Sequence, residues 1–169
     1  MCKITQSYLH QILNYEPETG VFTWKSPGNR AFIGRVAGCL DREGYVYFYV
    51  NKKRYFAHRL AWLYVYGFWP ANLIDHVNGV RSDNRIINLR EATRTECNRN
   101  SRRSKKNTSG VKGVHWSKNE KKWRARCGFN GKQHSLGYFL NITDAERAVI
   151  VFRKKHHGEF ANQGGFYHG

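Results

Sequence analysis

Residues 74–90 read IDHVNGVRSDNRIINLR, and this stretch decides the architecture around it. Asp75 and His76 stand side by side, and Asn78 and Gly79 follow closely. An Asn-Gly pair favours the tight turn of a β-hairpin, because both residues tolerate the positive φ that such a turn needs. We therefore predict that the chain folds back here as a small hairpin, with the acid and the histidine where the first strand ends.

The residue types in this hairpin suit the hydrolysis of a phosphodiester. That reaction needs a deprotonated water and a hard cation that takes up the charge building on the phosphate. His76 can take the proton, because a reference pKa of ~6.5 leaves an imidazole mostly neutral near pH 7. Asp75 offers a carboxylate of the kind that Mg²⁺ prefers. The amide of Asn88 can tie the loop back to backbone groups, which is a structural role.

The motifs DHVNG, DNR and NLR, followed by EATRTECNRN, resemble those of the HNH endonucleases of phages and mobile introns. The resemblance implies an α+β nuclease domain of the ββα-metal kind, in which two short strands and a helix surround one divalent metal ion. It implies His76 as the general base, Asp75 as a metal ligand and Asn88 as the middle asparagine of the motif. The expected cofactor is one Mg²⁺ ion, or Mn²⁺ in its place, without a structural zinc ion.

The third position of the motif departs from the family pattern. Relatives place an asparagine or a histidine four residues after the threonine that is Thr93 here, and this chain has Cys97 there and Asn98 one residue later. One residue turns a helix by about 100°. Either a local shift lets Asn98 reach the metal as the second ligand, or Cys97 occupies the position as a soft, poor partner for a hard cation.

The charge of the chain points to nucleic acid. Its 169 residues carry a formal net charge of +17, from 29 Lys and Arg against 12 Asp and Glu, and the release of counterions from a phosphate backbone rewards such a surface. No apolar run approaches the ~20 residues that span a membrane, and the cysteines form no CxxC pair. We expect double-stranded DNA as the partner, no membrane and no small-molecule substrate, and a soluble protein in the cytoplasm of a bacterial host.

The first 73 residues are expected to supply the apolar face on which the hairpin packs. The predicted elements are, in chain order, a helix over 7–14, a strand over 21–24, a hairpin that starts at 44–50 and turns at 51–53, and a helix over 57–66 that ends at Gly67. His58 stands at the head of the last helix. There it is either a buried or capping histidine, which we favour, or a group that reaches a phosphate.

Residues 108–163 are predicted to form a second, smaller domain. Their pattern indicates three short antiparallel strands, with Asn130-Gly131 as a hairpin turn, and a helix from Thr143 to His157. The residues from Thr143 to Glu146 have the form of a capping box at the start of this helix. Trp123 is assigned to the core.

The motifs SGVKGVHW, KWRAR, LGYF and DAERAV resemble the plant ethylene-response (APETALA-type) DNA-binding domain. The resemblance implies that an exposed face of the sheet enters the major groove. Together with the basic run over 99–107, it assigns DNA contacts to Arg102, Arg103, Lys105, Lys106, Lys112, His115, Trp116, Ser117, Arg124, Arg126, Lys132 and His134.

We therefore predict a nuclease domain over 1–100 with its motif at 74–100, a basic linker over 101–107, the APETALA-type domain over 108–163, and a tail over 164–169. The predicted function is metal-dependent, site-specific DNA cleavage of the homing-endonuclease kind, as nicks or double-strand breaks, by a monomer or a dimer assembled on DNA. A DNA-binding regulator, or a nuclease remnant inactivated at Cys97, is the alternative. An RNA-binding protein is a third hypothesis, since basic and aromatic residues suit RNA as well.

Overall fold

The computed structural model of the protein describes residues 4–25, 33–104 and 106–164. These residues form two compact units, one up to Thr93 and the other from Arg94 onward. Small antiparallel sheets combine with helices, so the predicted α+β class is confirmed. Within the described ranges, no helix has the length and apolar character needed to cross a membrane.

The first unit contains three small sheets and two helices in its described residues. Its elements are, in chain order, α1 (Gln6–Ile12), β1 (Leu13–Glu16), β2 (Val21–Trp24), β3 (Cys39–Leu40), β4 (Val46–Val50), β5 (Lys53–Phe56), α2 (Ala57–Tyr66), β6 (Leu73–His76) and β7 (Leu89–Ala92). Strand β1 pairs with β2, β4 lies between β3 and β5, and β6 pairs with β7. The helix predicted over 7–14 ends earlier, at Ile12, because Leu13 and Tyr15 alternate with exposed residues and enter β1.

Local turn chemistry fixes two of the chain reversals in this unit. Asn51 and Lys52 join β4 to β5 with φ values of +49° and +62°, as a two-residue hairpin turn requires. Gly67 ends α2 in the left-handed region, at φ +82°, and its N–H bonds the carbonyl of Leu63. The predicted hairpin and the predicted end of α2 are thereby confirmed.

The core of the first unit includes both strands of the site motif. Helix α2 buries Leu60 and Leu63, and Ile74 of β6 and Leu89 of β7 belong to the same buried cluster. Burial of one such side chain contributes about 1.5–3 kcal/mol. The motif therefore packs on the preceding part of the chain, as predicted, and depends on it for its shape.

The turn between β1 and β2 presses against the motif at Gly20. Gly20 has a φ of +74°, and a Cβ there would lie 2.5 Å from the carbonyl carbon of Asn84 and closer still to the amide nitrogen of Arg85. Nearby, the hydroxyl of Tyr15 donates to the carbonyl of Asn84 at 2.7 Å. The β1–β2 hairpin thus braces the loop that carries the DNR motif.

We expect Gly20→Ala to lower the free energy of unfolding by about 2–4 kcal/mol, since it adds backbone strain to a steric clash. Gly44→Ala is the matched control, because Gly44 has a φ of +88° but no atom within 4 Å of a Cβ. The control carries the strain alone, about 1 kcal/mol. Urea unfolding of the two variants measures the difference, and equal destabilisation would show that the contact with Asn84 and Arg85 is not tight.

The second unit is built on one three-stranded antiparallel sheet. Its elements are α3 (Arg94–Arg99), β8 (Val114–Ser117), β9 (Lys122–Phe129), β10 (Lys132–Phe139) and α4 (Ile142–His157), with β9 in the centre of the sheet. Asn130 and Gly131 turn β9 into β10 with φ values of +50° and +73°, which confirms the predicted turn. The three predicted strands and the long helix are also present.

The core of the second unit lies between the sheet and α4. Val114 and Ala125 of the sheet meet Ala145 and Val149 of the helix, and Trp123 packs against them, which confirms its assignment to the core. The predicted capping box is wrong. The N-cap of α4 is Asn141, no side chain bonds the start of the helix, and the helix begins one residue before Thr143.

Candidate active site

Strands β6 and β7 bring the two ends of the 74–90 stretch side by side. Asp75 lies opposite Arg90 in the antiparallel register, and His76 is the last residue of its strand. Gly79 turns the chain with a φ of +70°, and its N–H donates to the carbonyl of His76 at 2.8 Å. The predicted hairpin and its turn at Asn78-Gly79 are present, and the connection between its two strands is long, over residues 77–88, with a 3-10 turn at Ile86–Asn88.

Asn88 closes this loop. Its Oδ1 accepts from the backbone N–H of Asn78 at 2.9 Å, and its Nδ2 donates to the carbonyl of Asp83 at 2.8 Å. Its own carbonyl accepts from the N–H of Val77 at 2.9 Å. Because the residue is buried, breaking these bonds would leave polar groups without water. Asn88 therefore fixes the loop that carries Asn84.

The imidazole of His76 is buried and neutral. The residue is 4% exposed, and its Nε2 lies 3.4 Å from Oδ1 of Asn84. Burial lowers the pKa of His76 below its usual 6.5, and the hydrogen bond to Asn84 and the charges of Asp75 and Asp83 act against this shift. An oxygen opposite Nε2 favours the tautomer with its proton on Nε2 and its lone pair on Nδ1. At pH 7 His76 is thus in the state that accepts a proton.

Two further rings pack against His76, and both come from earlier in the chain. The ring centroid of His58 lies 5.2 Å from that of His76, and Tyr45 lies 5.9 Å from His76 and 5.4 Å from His58. His58 is 7% exposed, as predicted for a buried histidine. It caps no helix, because the N-cap of α2 is Phe56 and no side chain bonds the start of that helix. Sequence reasoning did not connect His58 or Tyr45 with His76.

The ion pair between Asp75 and Arg90 was also not predicted from the sequence. Nε and Nη2 of Arg90 both donate to Oδ2 of Asp75, at 3.0 and 2.9 Å. The two side chains are only 15% and 10% exposed. The signal was present in the NLR motif, which places Arg90 on the strand that returns beside Asp75. Arg90 balances the charge of this carboxylate and fixes its direction.

The donor atoms at this site suit a hard cation. Carboxylate and amide oxygens, as on Asp75 and Asn84, are ligands that Mg²⁺ accepts, and it usually takes only one or two protein carboxylates and keeps several waters. Among the described residues, no group of three or more His, Cys, Asp and Glu side chains could hold a metal ion. Asp75 has a carboxylate of this kind within the motif, and its role as a metal ligand stays a prediction.

The third motif position lies on α3, which belongs by its contacts to the second unit. The helix starts at Arg94, because residues 89–92 form β7. Cys97 is half-buried and Asn98 is exposed. Asn98 also lines a cleft of about 530 Å³ in the second unit. Its role as a metal ligand stays a prediction.

The predicted DNA contacts of the second unit divide between two faces of its sheet. Side chains along a strand alternate between the faces. The face away from the buried Val114 and Ala125 carries, of the predicted contacts, His115, Ser117, Arg124 and Arg126. Trp116 shares the core face with Trp123, whose ring centroid lies 5.1 Å away, and is 47% exposed. Trp116 therefore cannot reach DNA together with those four side chains from one flat face.

Other predicted contacts are engaged within the unit. The Nζ of Lys112 donates hydrogen bonds to the backbone carbonyls of Arg99, Ser101 and Asn162. An ammonium has three donors, and burial lowers the pKa of Lys112 to about 8. The prediction of Lys112 as a DNA contact does not fit this geometry, because the side chain ties three segments together. His134 is half-buried, with its ring against that of Phe152.

The basic run over 99–107 keeps part of its charge at the surface. Arg102 and Lys106 are exposed, as is Lys132 at the start of β10, and Lys105 lies outside the described residues. Arg103 instead donates to the carbonyl of Gly110. The exposed members of this group stay available as predicted phosphate contacts.

The stability of the first unit should depend on pH through His58. Burial, followed by the charges of His76 and Arg59, lowers the pKa of His58 to about 3. The unfolded chain takes up this proton near pH 6.5 and the folded chain does not, so stability is lost as the pH falls below 6.5, by at most about 1.4 kcal/mol per pH unit. Urea unfolding at pH 7 and pH 5 should show a smaller loss for His58→Phe than for the wild type. An equal loss would mean that His58 is protonated in the folded state.

Comparison with known proteins supports the HNH resemblance of the motif. The chain matches the HNH endonuclease family over residues 55–99, which include α2, β6, β7 and α3. It is 33% identical to Protein 3.8 of Escherichia phage T7 over 121 residues, which cover 71% of this chain and 97% of that protein. No solved structure matches it. The APETALA-type resemblance of residues 108–163 stays a prediction, whereas the HNH resemblance is confirmed. With a relative aligned over nearly its whole length and the His76 loop inside the family match, the chain belongs to the HNH endonuclease family.

Proposed function

We propose that the protein is a metal-dependent endonuclease that hydrolyses phosphodiester bonds of double-stranded DNA, with His76 as its general base. The observation that carries this proposal is the buried, neutral imidazole of His76 beside Asn84 and Asp75. These residues lie within the match to the HNH endonuclease family. A neutral imidazole at the end of a strand, next to an acid, is the arrangement that proton abstraction from water requires.

Each residue of the site has a separate part in this reaction. His76 takes a proton from the attacking water, and Asn84 holds the ring in the tautomer that can do so. Asp75 would hold one Mg²⁺ or Mn²⁺ ion, and Arg90 directs the carboxylate of Asp75. The bound ion neutralises the charge that builds on the phosphate and the leaving oxygen.

The second unit is proposed to give the enzyme its site specificity, as in homing endonucleases. The sheet face with His115, Arg124 and Arg126 would read DNA, and the exposed Arg102 and Lys106 would lie along phosphates. Joining a cutting unit to a binding unit raises the effective concentration of each at its site. A monomer would nick one strand, and two copies assembled on DNA would cut both. The host cytoplasm is the proposed location, because a relative is encoded by a phage.

A plasmid-nicking assay tests the proposal. Purified protein is incubated with supercoiled DNA and Mg²⁺, Mn²⁺ or EDTA, and fragments selected from random DNA then give the target sequence. We expect relaxed or linear products with either metal ion and none with EDTA. Cleavage that continues in EDTA would contradict the metal, and the absence of cleavage on selected DNA would contradict the enzyme.

One residue favours a second candidate function. Cys97 stands where relatives carry an asparagine or a histidine, so the protein can instead be a DNA-binding regulator or an inactive remnant. Cys97→Asn separates the two. A gain of cleavage in the variant over an inactive wild type identifies a remnant, whereas tight DNA binding without cleavage in both proteins identifies a regulator. Competition with structured RNA in the same binding assay tests the hypothesis that the protein binds RNA.

A further inference from the structure

A cleft of about 350 Å³ opens on the first unit beside strand β5. All four residues of β5, Lys53–Phe56, line this cleft, as do Arg59 of α2 and Trp69, which follows that helix. Its volume lies at the lower end of the range for small-ligand sites, about 300–1,000 Å³. The residues of the candidate active site are not part of this lining, so the proposed reaction does not account for it.

The lining of the cleft is cationic. Lys53, Arg54 and Arg59 contribute three positive charges, and no residue of the lining is acidic. Arg54 bonds Asp41 at 2.9 Å, whereas Lys53 and Arg59 take part in no ion pair within the described part of the chain. A cleft with this charge attracts an anionic ligand.

Aromatic rings lie next to these charges. Tyr55 and Trp69 are both half-buried, and their rings are stacked, with centroids 5.9 Å apart and planes at 27°. The Nζ of Lys53 lies 5.5 Å from the ring centroid of Tyr55, and the guanidinium of Arg59 lies 6.0 Å from that of Trp69. Proteins bind unpaired nucleotides with this combination, because the charges hold the phosphate and the rings stack on the base.

Strand β5 is the edge of its sheet, since it pairs only with β4 among the described strands. An exposed edge can also accept a peptide strand, but charged side chains such as Lys53 and Arg54 disfavour that pairing. They favour a nucleic acid strand, and backbone N–H groups are common donors to its phosphate oxygens. The edge therefore fits DNA better than a peptide.

Phe56 connects the cleft with the candidate active site. Its ring centroid lies 5.5 Å from that of His58, which in turn lies 5.2 Å from that of His76. Two ring contacts thus lead from the lining of the cleft to the proposed base. A DNA strand held in the cleft would lie close to the bond that is cut.

We infer that this cleft binds one unpaired nucleotide of a DNA strand, with its base on the rings of Tyr55 and Trp69 and its phosphate at Lys53 and Arg59. The inference deepens the proposed function and rests on it for the choice of DNA as the ligand. The base has to be unpaired, because a base inside a duplex is stacked between its neighbours and reaches a protein pocket only when it leaves the stack.

Photocrosslinking of the whole protein in EDTA, which prevents metal-dependent cleavage, tests the inference. A single-stranded oligothymidylate with one thymine replaced by iodouracil is irradiated with the protein, and mass spectrometry identifies the crosslinked residues. We expect crosslinks at Tyr55 or Trp69, and far fewer from a duplex of the same length with the same base. Crosslinks from the single strand that avoid both residues, or an equal yield from the duplex, overturn the inference.

Lys53→Ala and Lys52→Gly form a matched pair that tests the phosphate contact. Each removes one exposed positive charge, but Lys52 does not line the cleft, and its φ of +62° suits glycine. The slope of log Kd for the single strand against log salt concentration should fall by about 0.7 in Lys53→Ala, the value for one phosphate contact. It should stay near the wild-type value in Lys52→Gly. Equal slopes in the two variants overturn the inference.

Neither measurement requires cleavage, so the inference and the proposed function can fail separately. A protein that cuts DNA without crosslinks in the cleft keeps the proposed function and loses the inference. A protein that crosslinks at Tyr55 or Trp69 but cuts no DNA keeps the nucleotide site and loses the nuclease.

Discussion

His76→Ala is expected to abolish DNA cleavage, with a rate at least about 10²–10⁴-fold below that of the wild type, the range that a general base contributes. The structure gives the reason. His76 carries the neutral imidazole of the site, and its tautomer is held by Asn84 at 3.4 Å. The ring acts on water and is only 4% exposed. Its removal should therefore leave the affinity for DNA within a few fold.

Single-turnover cleavage and DNA binding, measured on the same preparation, check this expectation. His10→Ala serves as the control for the loss of a histidine from the same unit. Normal cleavage by His76→Ala would end the assignment of the base. Loss of DNA binding in parallel with cleavage would instead point to a damaged fold, which urea unfolding would reveal.

Arg90→Leu is expected to produce the largest loss of stability, about 3–5 kcal/mol, because it leaves the largely buried charge of Asp75 without its partner. Oδ2 of Asp75 takes two N–H groups of Arg90, at 3.0 and 2.9 Å, and the side chains are 10% and 15% exposed. The loss should therefore be much larger than for an exposed pair such as Arg81 and Glu43, which is worth about 0–1 kcal/mol.

The double variant Asp75→Asn with Arg90→Leu separates the charge from the packing. Asp75→Asn removes the unpaired charge, so the double variant should be more stable than Arg90→Leu alone in urea unfolding. Arg81→Leu provides the exposed comparison. A double variant no more stable than Arg90→Leu would show that Arg90 contributes through its packing and not through the ion pair.

Local signals in the sequence predicted much of the fold. Asn51-Lys52, Gly67 and Asn130-Gly131 set turns through their own backbone preferences, which act wherever the chain is placed. The limit of the first helix could not be predicted in this way, because Leu13 suits a helix as well as a strand. Its pairing with Trp24 across the β1–β2 hairpin decides between them.

The sequence names residues of the candidate site but does not predict which side chains they contact. Asp75, His76 and Asn88 came from residue chemistry and from the HNH resemblance. The contacts of His58 and Arg90 depend on which elements the fold brings together. His58 and His76 are eighteen positions apart in the sequence, and no local pattern predicts that their rings are in contact. The capping box failed for a different reason, since the backbone start of α4 at Asn141 left Thr143 inside the helix.

The close approach of Gly20 to the DNR loop has a consequence for protein engineering. The family match begins at residue 55, yet the loop beside His76 leans on Gly20 and on the hydroxyl of Tyr15. A nuclease fragment limited to the residues of the match would lose these two contacts. A portable module therefore has to include the β1–β2 hairpin, Leu13–Trp24, and grafts that keep this hairpin should preserve the shape of the site.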